Sequence, residues 1–352
     1  MGIRLMKGND AVVFGALMGG CTHFFGYPIT PASEIAQQAA YWFPLAGRHF
    51  LQAESEVSVI NMLYGASSAG ARVMTASSGP GIALMGEGLS YMAGACLPAV
   101  VVDMQRSGPG LGNIWPEQSD YNMVVKGGGH GDYRTIVLAP YSAQEMFEMT
   151  MKSFEIADRY RMTVFILSDA YIGQMMEQVS IEGIPSESGK KDWAVYADAQ
   201  SRSNLITSIY MNIEKQSEHN RKLQKTYEKA SRELLEFEHV ATEDAQVVFV
   251  AYGICARICL SAVRSLRRLG LKVGLFRPKT LWPLPEQEIK QFAAAKKTLV
   301  VVELSSGMLA SDISLYANGA TEVLHIGSFG GATPTVTSLV DRIIEHIGDR
   351  HA

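Results

Sequence analysis

Four runs of nearly continuous apolar residues constrain this chain more than any other feature. Arg72–Ala76, Pro98–Asp103, Thr135–Ala139 and Met162–Asp169 carry Val, Ile, Leu, Met and Ala at neighbouring positions rather than at every second one. A strand of that kind is covered on both faces, as in a parallel sheet. Between the last two runs, Ser142-Ala143-Gln144-Glu145 has the spacing of a capping box and predicts a helix to about Tyr160. Strand, helix, strand in that order predicts an α/β fold with a doubly wound parallel sheet. After residue 244 the pattern resumes, with strands predicted at Gln246–Tyr252, Lys272–Phe276, Thr298–Glu303 and Leu324–Gly327. Thr333-Pro334 reads as an N-cap and first-turn proline. The helix it opens has Val336, Leu339, Val340, Ile343, Ile344 and Ile347 on its apolar face. At 352 residues there is material for two cores.

The stretch from 183 to 243 breaks this alternation. Pro185-Ser186-Glu187-Ser188-Gly189-Lys190-Lys191 has linker composition. Leu205, Ile206, Ile209 and Ile213 predict one helix, and Leu223, Tyr227, Ala230, Leu234 and Phe237 a second stripe at helical spacing. Polar and charged residues fill most of the remainder, which predicts a solvated connector lying across a partner surface. The expected organisation is therefore 1–182, a helical linker over 183–243, and 244–352.

A net charge of −4 with scattered lysines and arginines offers no nucleic-acid footprint. Every apolar stretch is interrupted short of a membrane span. The opening Met-Gly-Ile-Arg-Leu-Met lacks a secretory apolar core, so a cytoplasmic location is expected. The four cysteines, Cys21, Cys96, Cys255 and Cys259, form no CxxC pair and cannot supply the thiolates of an iron–sulfur cluster. Cys255 and Cys259 are spaced to share a helix face, and buried structural thiols are expected.

Chemistry concentrates in a few motifs. Tyr27-Pro28-Ile29-Thr30-Pro31 makes a rigid turn with a hydroxyl at its tip. Gln52-Ala53-Glu54-Ser55-Glu56 then leads into the small-residue helix around Gly65–Arg72, followed by the loop Ser77-Ser78-Gly79-Pro80-Gly81. That loop has neither the P-loop pattern nor a dinucleotide fingerprint. Arg106-Ser107-Gly108-Pro109-Gly110-Leu111-Gly112 and Lys126-Gly127-Gly128-Gly129-His130-Gly131-Asp132-Tyr133 complete the set. Taken singly, each has a plain structural reading. Glu54 or Glu56 suits an exposed helix start favoured by the macrodipole, Thr30 a cap, Arg106 a surface ion pair, and His130 a ring exposed among flexible glycines.

In this order, however, the motifs resemble the α subunit of 2-oxoacid:ferredoxin oxidoreductases over most of the chain. The branched-chain (3-methyl-2-oxobutanoate) type is most similar and the 2-oxoglutarate type next. The resemblance implies a thiamine diphosphate-binding fold of the pyrimidine type, followed by a domain like the transketolase C-terminal domain. It implies coenzyme A-dependent oxidative decarboxylation of a 2-oxo acid, with electrons passing to ferredoxin. It places Glu56, rather than Glu54, against N1′ of the aminopyrimidine as the catalytic acid, with Tyr27, Pro28 and Ile29 beside the cofactor. Thr30 and Arg106 become holders of the substrate carboxylate, with His130 a further substrate contact. No Gly-Asp-Gly occurs in the chain. The Mg²⁺ and diphosphate half-site is therefore expected on a β subunit, and [4Fe–4S] clusters on ferredoxin-like and γ partners. Two rival classes share parts of this pattern. A non-redox thiamine diphosphate-dependent 2-oxo acid decarboxylase needs no cluster partner, and a silent assembly subunit need not retain Thr30, Glu56 and Arg106.

Overall fold

The apolar runs resolve into three sheets in the computed structural model, which describes residues 2–182, 186 and 189–349. The first part of the chain runs β1 (Ile3–Lys7), α1 (Gly8–Met18), β2 (His23–Gly26), α2 (Ser33–Leu45), β3 (His49–Gln52), α3 (Glu56–Ser68), β4 (Val73–Ser77) and α4 (Gly79–Gly94). It continues with β5 (Ala99–Gln105), α5 (Tyr121–Val125), β6 (Ile136–Leu138), α6 (Ala143–Tyr160), β7 (Thr163–Asp169), α7 (Ala170–Gln174) and β8 (Met176–Ser180). Then follow α8 (Ile213–Glu233), β9 (Phe237–Val240), β10 (Val247–Val250), α9 (Gly253–Arg268), β11 (Val273–Pro278) and β12 (Thr280–Trp282). The chain closes with α10 (Glu286–Ala294), β13 (Thr298–Glu303), α11 (Met308–Ala317), β14 (Val323–Gly327) and α12 (Val336–Asp349).

The larger sheet has the order β12-β6-β7-β5-β4-β2-β3 and is parallel except for β12. Every residue of β5 and β7 is buried, as the apolar runs Ala99–Val102 and Val164–Leu167 within them require. Val100, Val102 and Met104 of β5 join the core under α1, α2 and α6, while Ala99 and Val101 join the opposite core under α3 and α4. The second sheet, β14-β13-β10-β11-β9, is parallel apart from β9. It is likewise covered on both faces, by α9 and α12 on one side and α10 and α11 on the other. β1 and β8 form a separate antiparallel ribbon.

The two large sheets are fastened to each other by polar contacts. β12, from the second half of the chain, pairs antiparallel with the edge strand β6 of the first sheet. Gln118 donates to the carbonyl of Tyr252 and accepts from the amide of Leu304, and Asp169 accepts from the amide of Ile254. Arg277, 1% exposed, makes a bidentate pair with Glu145 at 2.8 and 2.7 Å. Burial pushes the Glu145 carboxyl upward, but Arg277 and Lys279 together outweigh it and hold the group below its usual range.

Several local expectations are corrected. No helix forms over 205–212, where Leu205 and Ile209 are 80% and 71% exposed, and Ile213 opens α8. Asn212 instead accepts from the amide of Lys215, capping α8, and a cap residue ends any helix arriving from before it. The second stripe lies on α8 through Ala230, but Phe237 belongs to β9. The linker-like motif falls partly outside the described residues, at Pro185, Glu187 and Ser188. Ser142 does cap α6, yet Glu145 reaches the amide of Tyr141 rather than that of Ser142. The start of α12 is held by Thr335, whose hydroxyl accepts from the Ser338 amide, two residues beyond the expected Thr333; Ile344 of α12 is 42% exposed.

Candidate functional site

Strand order reverses between β2 and β4: from β2 the chain steps outward to β3, then crosses back to β4 and continues to β5. In open α/β sheets such a reversal opens a crevice at the carboxyl ends of the strands. Tyr27–Pro31 follows β2, Ser78–Gly81 follows β4, and Arg106–Gly112 follows β5, so three of the motifs meet at this crevice.

Glu56 is the first residue of α3. Ser55 caps that helix, accepting from the Ser58 amide at 3.2 Å, and this sets the direction in which the next side chain leaves. Glu56 turns inward and is 6% exposed, whereas Glu54, before the cap, is exposed. The first turn of α4 presses against the carboxylate. A Cβ built on Gly81 would stand 2.6 Å from Glu56 Oε1 and 2.1 Å from Ser77 Oγ, so glycine is the residue this approach permits. No described residue hydrogen-bonds the Glu56 carboxylate, and Ser77 and Ser78 present buried hydroxyls that also lack partners. Unpaired polar groups are costly to bury unless something else engages them. This arrangement fits a heteroaromatic ligand that offers a nitrogen to Glu56.

Thr30 and Arg106 are brought together, but not through the Thr30 hydroxyl. Arg106 donates from Nη1 to the Thr30 carbonyl at 2.9 Å and from Nη2 to the Leu111 carbonyl at 3.0 Å. Its Nε is buried and has no partner. The guanidinium is thus fixed by backbone while one N–H edge stays uncommitted. Tyr27, Pro28 and Thr30 are exposed at the mouth of the crevice and Ile29 is half-buried. His130 is exposed on a loop that Ser90 holds through the His130 carbonyl, and it does not line the cleft around Arg106. The glycines of its loop let the backbone pack against α4: a Cβ on Gly129 would meet the Gly86 carbonyl at 2.1 Å.

That cleft, of about 850 Å³, runs between the two halves of the molecule. Gly79, Pro80, Ala83, Arg106 and Met123 form one wall, and Met308, Phe329 and Gly330 the other. Glu117 spans them, accepting from the amides of Gly108 and Gly330, both at 2.9 Å. Beside it, burial and then the Glu117 charge push the Asp120 carboxyl up to about 7, against the pull of Arg106. Asp103, fully buried in β5, is raised well above the usual carboxylate range by burial and then by Asp120. Sequence reasoning missed Asp103, Glu117 and Asp120. Asp103 had a readable signal: a lone carboxylate in the otherwise uncharged strand Ala-Val-Val-Val-Asp-Met-Gln. Glu117 and Asp120 sit in an irregular segment and had none.

Among the described residues no helix is long and apolar enough to cross a membrane. Cys21, Cys255 and Cys259 are buried as free thiols, the last two on α9. Burial raises all three.

A carboxylate-bearing helix start facing a glycine turn at the switch point of a doubly wound sheet is the arrangement expected of a thiamine diphosphate-binding fold. Comparison with known proteins agrees. Residues 14–238 match the family model described as pyruvate flavodoxin/ferredoxin oxidoreductase, thiamine diphosphate-binding, and residues 245–339 match pyruvate:ferredoxin oxidoreductase core domain II. The chain belongs to the 2-oxoacid:ferredoxin oxidoreductase family and is a subunit of such an enzyme. It is 49% identical to the ketoisovalerate oxidoreductase subunit VorB of Methanothermobacter marburgensis, covering 99% of both chains. It is 34% identical to the 2-oxoglutarate synthase subunit KorA of Methanocaldococcus jannaschii, over 94% of this chain and 96% of that one. Among solved structures, the 2-oxoglutarate:ferredoxin oxidoreductase of Magnetococcus marinus superposes with a TM-score of 0.89 at 29% identity over 98% of this chain. This chain spans 65% of the length of that one. A split-gene transketolase shares the fold, with a TM-score of 0.59 at 13% identity. The non-redox decarboxylase reading is not favoured by these relatives.

Proposed function

We propose that this chain is the α-type subunit supplying the aminopyrimidine half of a thiamine diphosphate site in a branched-chain 2-oxoacid:ferredoxin oxidoreductase. The observation that carries the proposal is the buried Glu56 carboxylate, without a partner and faced by Gly81 and Ser77. Glu56, with Tyr27, Pro28 and Ile29 at the crevice mouth, would hold the cofactor. When bound, thiamine diphosphate supplies the carbon nucleophile and electron sink that 2-oxo acid decarboxylation requires. Glu56 offers a carboxylate to a ring nitrogen in a dry setting, where a charged hydrogen bond is strong. Arg106, fixed by two backbone carbonyls and lining the cleft, would hold the substrate carboxylate, with Thr30 adding its hydroxyl at the turn. His130 is given no part in holding that carboxylate. In this reading the Mg²⁺ and diphosphate contacts and the [4Fe–4S] clusters belong to β, γ and ferredoxin-like partners, since the chain has neither a Gly-Asp-Gly nor a cluster cysteine motif. Coenzyme A takes the acyl group and ferredoxin the electrons.

The choice of a branched-chain acid rests on the cleft as well as on the 49% relative. Arg106 is the one cation among the residues described as lining the cleft; Glu117 and Asp120 are acidic, and Pro80, Ala83, Met123, Met308 and Phe329 are apolar. Such a wall suits an isopropyl group and repels the second carboxylate of 2-oxoglutarate. The test is turnover of the copurified complex on a panel of 2-oxo acids with coenzyme A and a viologen dye. The expected result is highest kcat/KM on 3-methyl-2-oxobutanoate, with acyl-CoA formed and dye reduced. Preference for 2-oxoglutarate would reject the substrate assignment, and carbon dioxide release without dye reduction would reject the electron-transfer reading.

A further inference from the structure

Glu117 ties the two walls of the Arg106 cleft together. It is 4% exposed and accepts from the Gly108 amide on Oε2 and from the Gly330 amide on Oε1, both at 2.9 Å. The Ser119 hydroxyl adds a third bond, to Oε2, at 2.9 Å. Gly108 lies two residues after Arg106, whereas Gly330 belongs to the turn that follows β14 in the second half of the chain. Between Arg106 and Glu117 the chain folds back on itself, the Ser107 amide donating to the Trp115 carbonyl and the Asn113 amide to the Ser107 carbonyl. The turn from the second half is locked onto this segment at two more points. Asn113 Nδ2 donates to the Gly330 carbonyl at 3.2 Å, so both polar groups of the Gly330 backbone are engaged, and a Cβ on Gly331 would overlap Trp115.

A carboxylate and a guanidinium lining one cleft would form a strong charged pair if they met. Here they are held apart. Glu117 is satisfied by two backbone amides and a hydroxyl, Arg106 donates to the carbonyls of Thr30 and Leu111, and neither takes the other as a hydrogen-bond partner. An Arg106 clasped by Glu117 would have less of its fork to offer a bound carboxylate.

Resting on the assignment of Arg106 to the substrate carboxylate, we propose that Glu117 is a positioning residue for substrate binding. By holding the Gly330 turn of the second half against Gly108 of the first, it fixes the loop that carries Arg106 and leaves the guanidinium to backbone carbonyls and substrate. The second half of the chain thereby contributes to substrate affinity through its main chain. The sign of the effect separates this role from simple electrostatics. Glu117 is a negative charge in a cleft that receives an anion, so by Coulomb's law alone its neutralisation would tighten substrate binding. Loss of positioning weakens it.

The test is steady-state turnover of the copurified complex on 3-methyl-2-oxobutanoate with coenzyme A and a viologen dye. Glu117→Gln keeps the shape of the side chain, but its NH₂ cannot accept, so the Gly108 or the Gly330 amide loses its partner. KM is expected to rise roughly tenfold, the scale of one charge-assisted hydrogen bond, with kcat within about threefold of wild type. Exchange of the cofactor C2 proton with deuterium, which depends on Glu56, is expected to be unchanged. Asn113→Ala removes the other hydrogen bond to the same turn and should raise KM in the same direction by less; it decides the question if Glu117→Gln fails to assemble. A double-mutant cycle separates positioning from general loosening: in an Arg106→Lys background, Glu117→Gln should raise KM by less than about threefold, because the clamp it serves is already lost. An unchanged or lowered KM in Glu117→Gln, or losses at the two sites that multiply in full, overturns the inference even if Arg106→Lys weakens substrate binding. An unchanged kcat/KM in Arg106→Lys instead removes the assignment of Arg106, and the inference with it.

Discussion

Gly81→Ala tests whether the approach of α4 to Glu56 is the functional contact. An alanine Cβ would stand 2.6 Å from Glu56 Oε1, 2.9 Å from Glu56 Cγ and 2.1 Å from Ser77 Oγ. To recover an ordinary contact near 3.4 Å, the carboxylate oxygen must withdraw by about 0.8 Å. Gly81 is not at a positive φ, so the backbone itself tolerates alanine and the cost falls on these side chains. Overpacking of this size costs about 1–3 kcal/mol, partly offset by the up to ~1 kcal/mol that alanine gains over glycine in a helix. A shift of about 1 Å in a reacting group costs on the order of 10²-fold in rate. Gly81→Ala should therefore fold, lose at most about 2 kcal/mol in denaturant unfolding, and lose roughly ten- to a hundredfold in dye-reducing turnover. Gly65→Ala is the control. It lies on the exposed face of α3, its Cβ meets nothing within 4 Å, and it should gain up to about 1 kcal/mol with turnover unchanged. A Gly81→Ala complex as active as wild type would mean that Glu56 is not held where the chemistry occurs.

Arg106→Lys keeps the charge but loses the planar fork. Since charge-assisted hydrogen bonds contribute about 1.5–3 kcal/mol, kcat/KM should fall roughly tenfold to a hundredfold on every 2-oxo acid, with cofactor occupancy and side-chain preference retained. Loss of cofactor, or a loss confined to one substrate, would place Arg106 elsewhere in the site. Arg277→Met removes the buried partner of Glu145. Lys279, 3.0 Å from the same carboxylate, limits the damage, so denaturant unfolding should show a loss near the low end of the usual range, about 3 kcal/mol. A loss under about 1 kcal/mol would mean the pair does not tie the sheets together.

Much of the fold was legible because its central strands are buried on both faces. The runs at Val73–Ser77, Ala99–Gln105, Thr163–Asp169 and Thr298–Glu303 appear within two residues of their apolar stretches. What escaped was structure decided by long-range contact. β12 is three residues long and exists because β6 offers an edge. Leu205, Ile206 and Ile209 have helical spacing, but only Ile206 packs against a core while Leu205 and Ile209 stay exposed, and periodicity alone does not make a helix. In the site, the inward turn of Glu56 follows from the Ser55 cap and was within reach of local rules. The pairing of Arg106 with the Thr30 backbone, and the separation of His130 from both, depend on loop paths that composition does not encode. Asp120 takes its raised pKa from burial and from nearby Glu117, on an irregular loop whose path composition does not encode.

The most direct measurement of the central claim is turnover of complexes carrying Glu56→Gln and, separately, Glu54→Gln. Both changes conserve shape and remove one negative charge, but Glu56 is buried against Gly81 while Glu54 is exposed. A positioned acid–base group contributes about 10²–10⁴-fold, so Glu56→Gln should assemble with its partners and lose turnover on that scale, while Glu54→Gln stays within about threefold of wild type. Equal losses at the two positions, or full turnover in Glu56→Gln, would contradict the assignment of this chain's carboxylate to the thiamine diphosphate half-site.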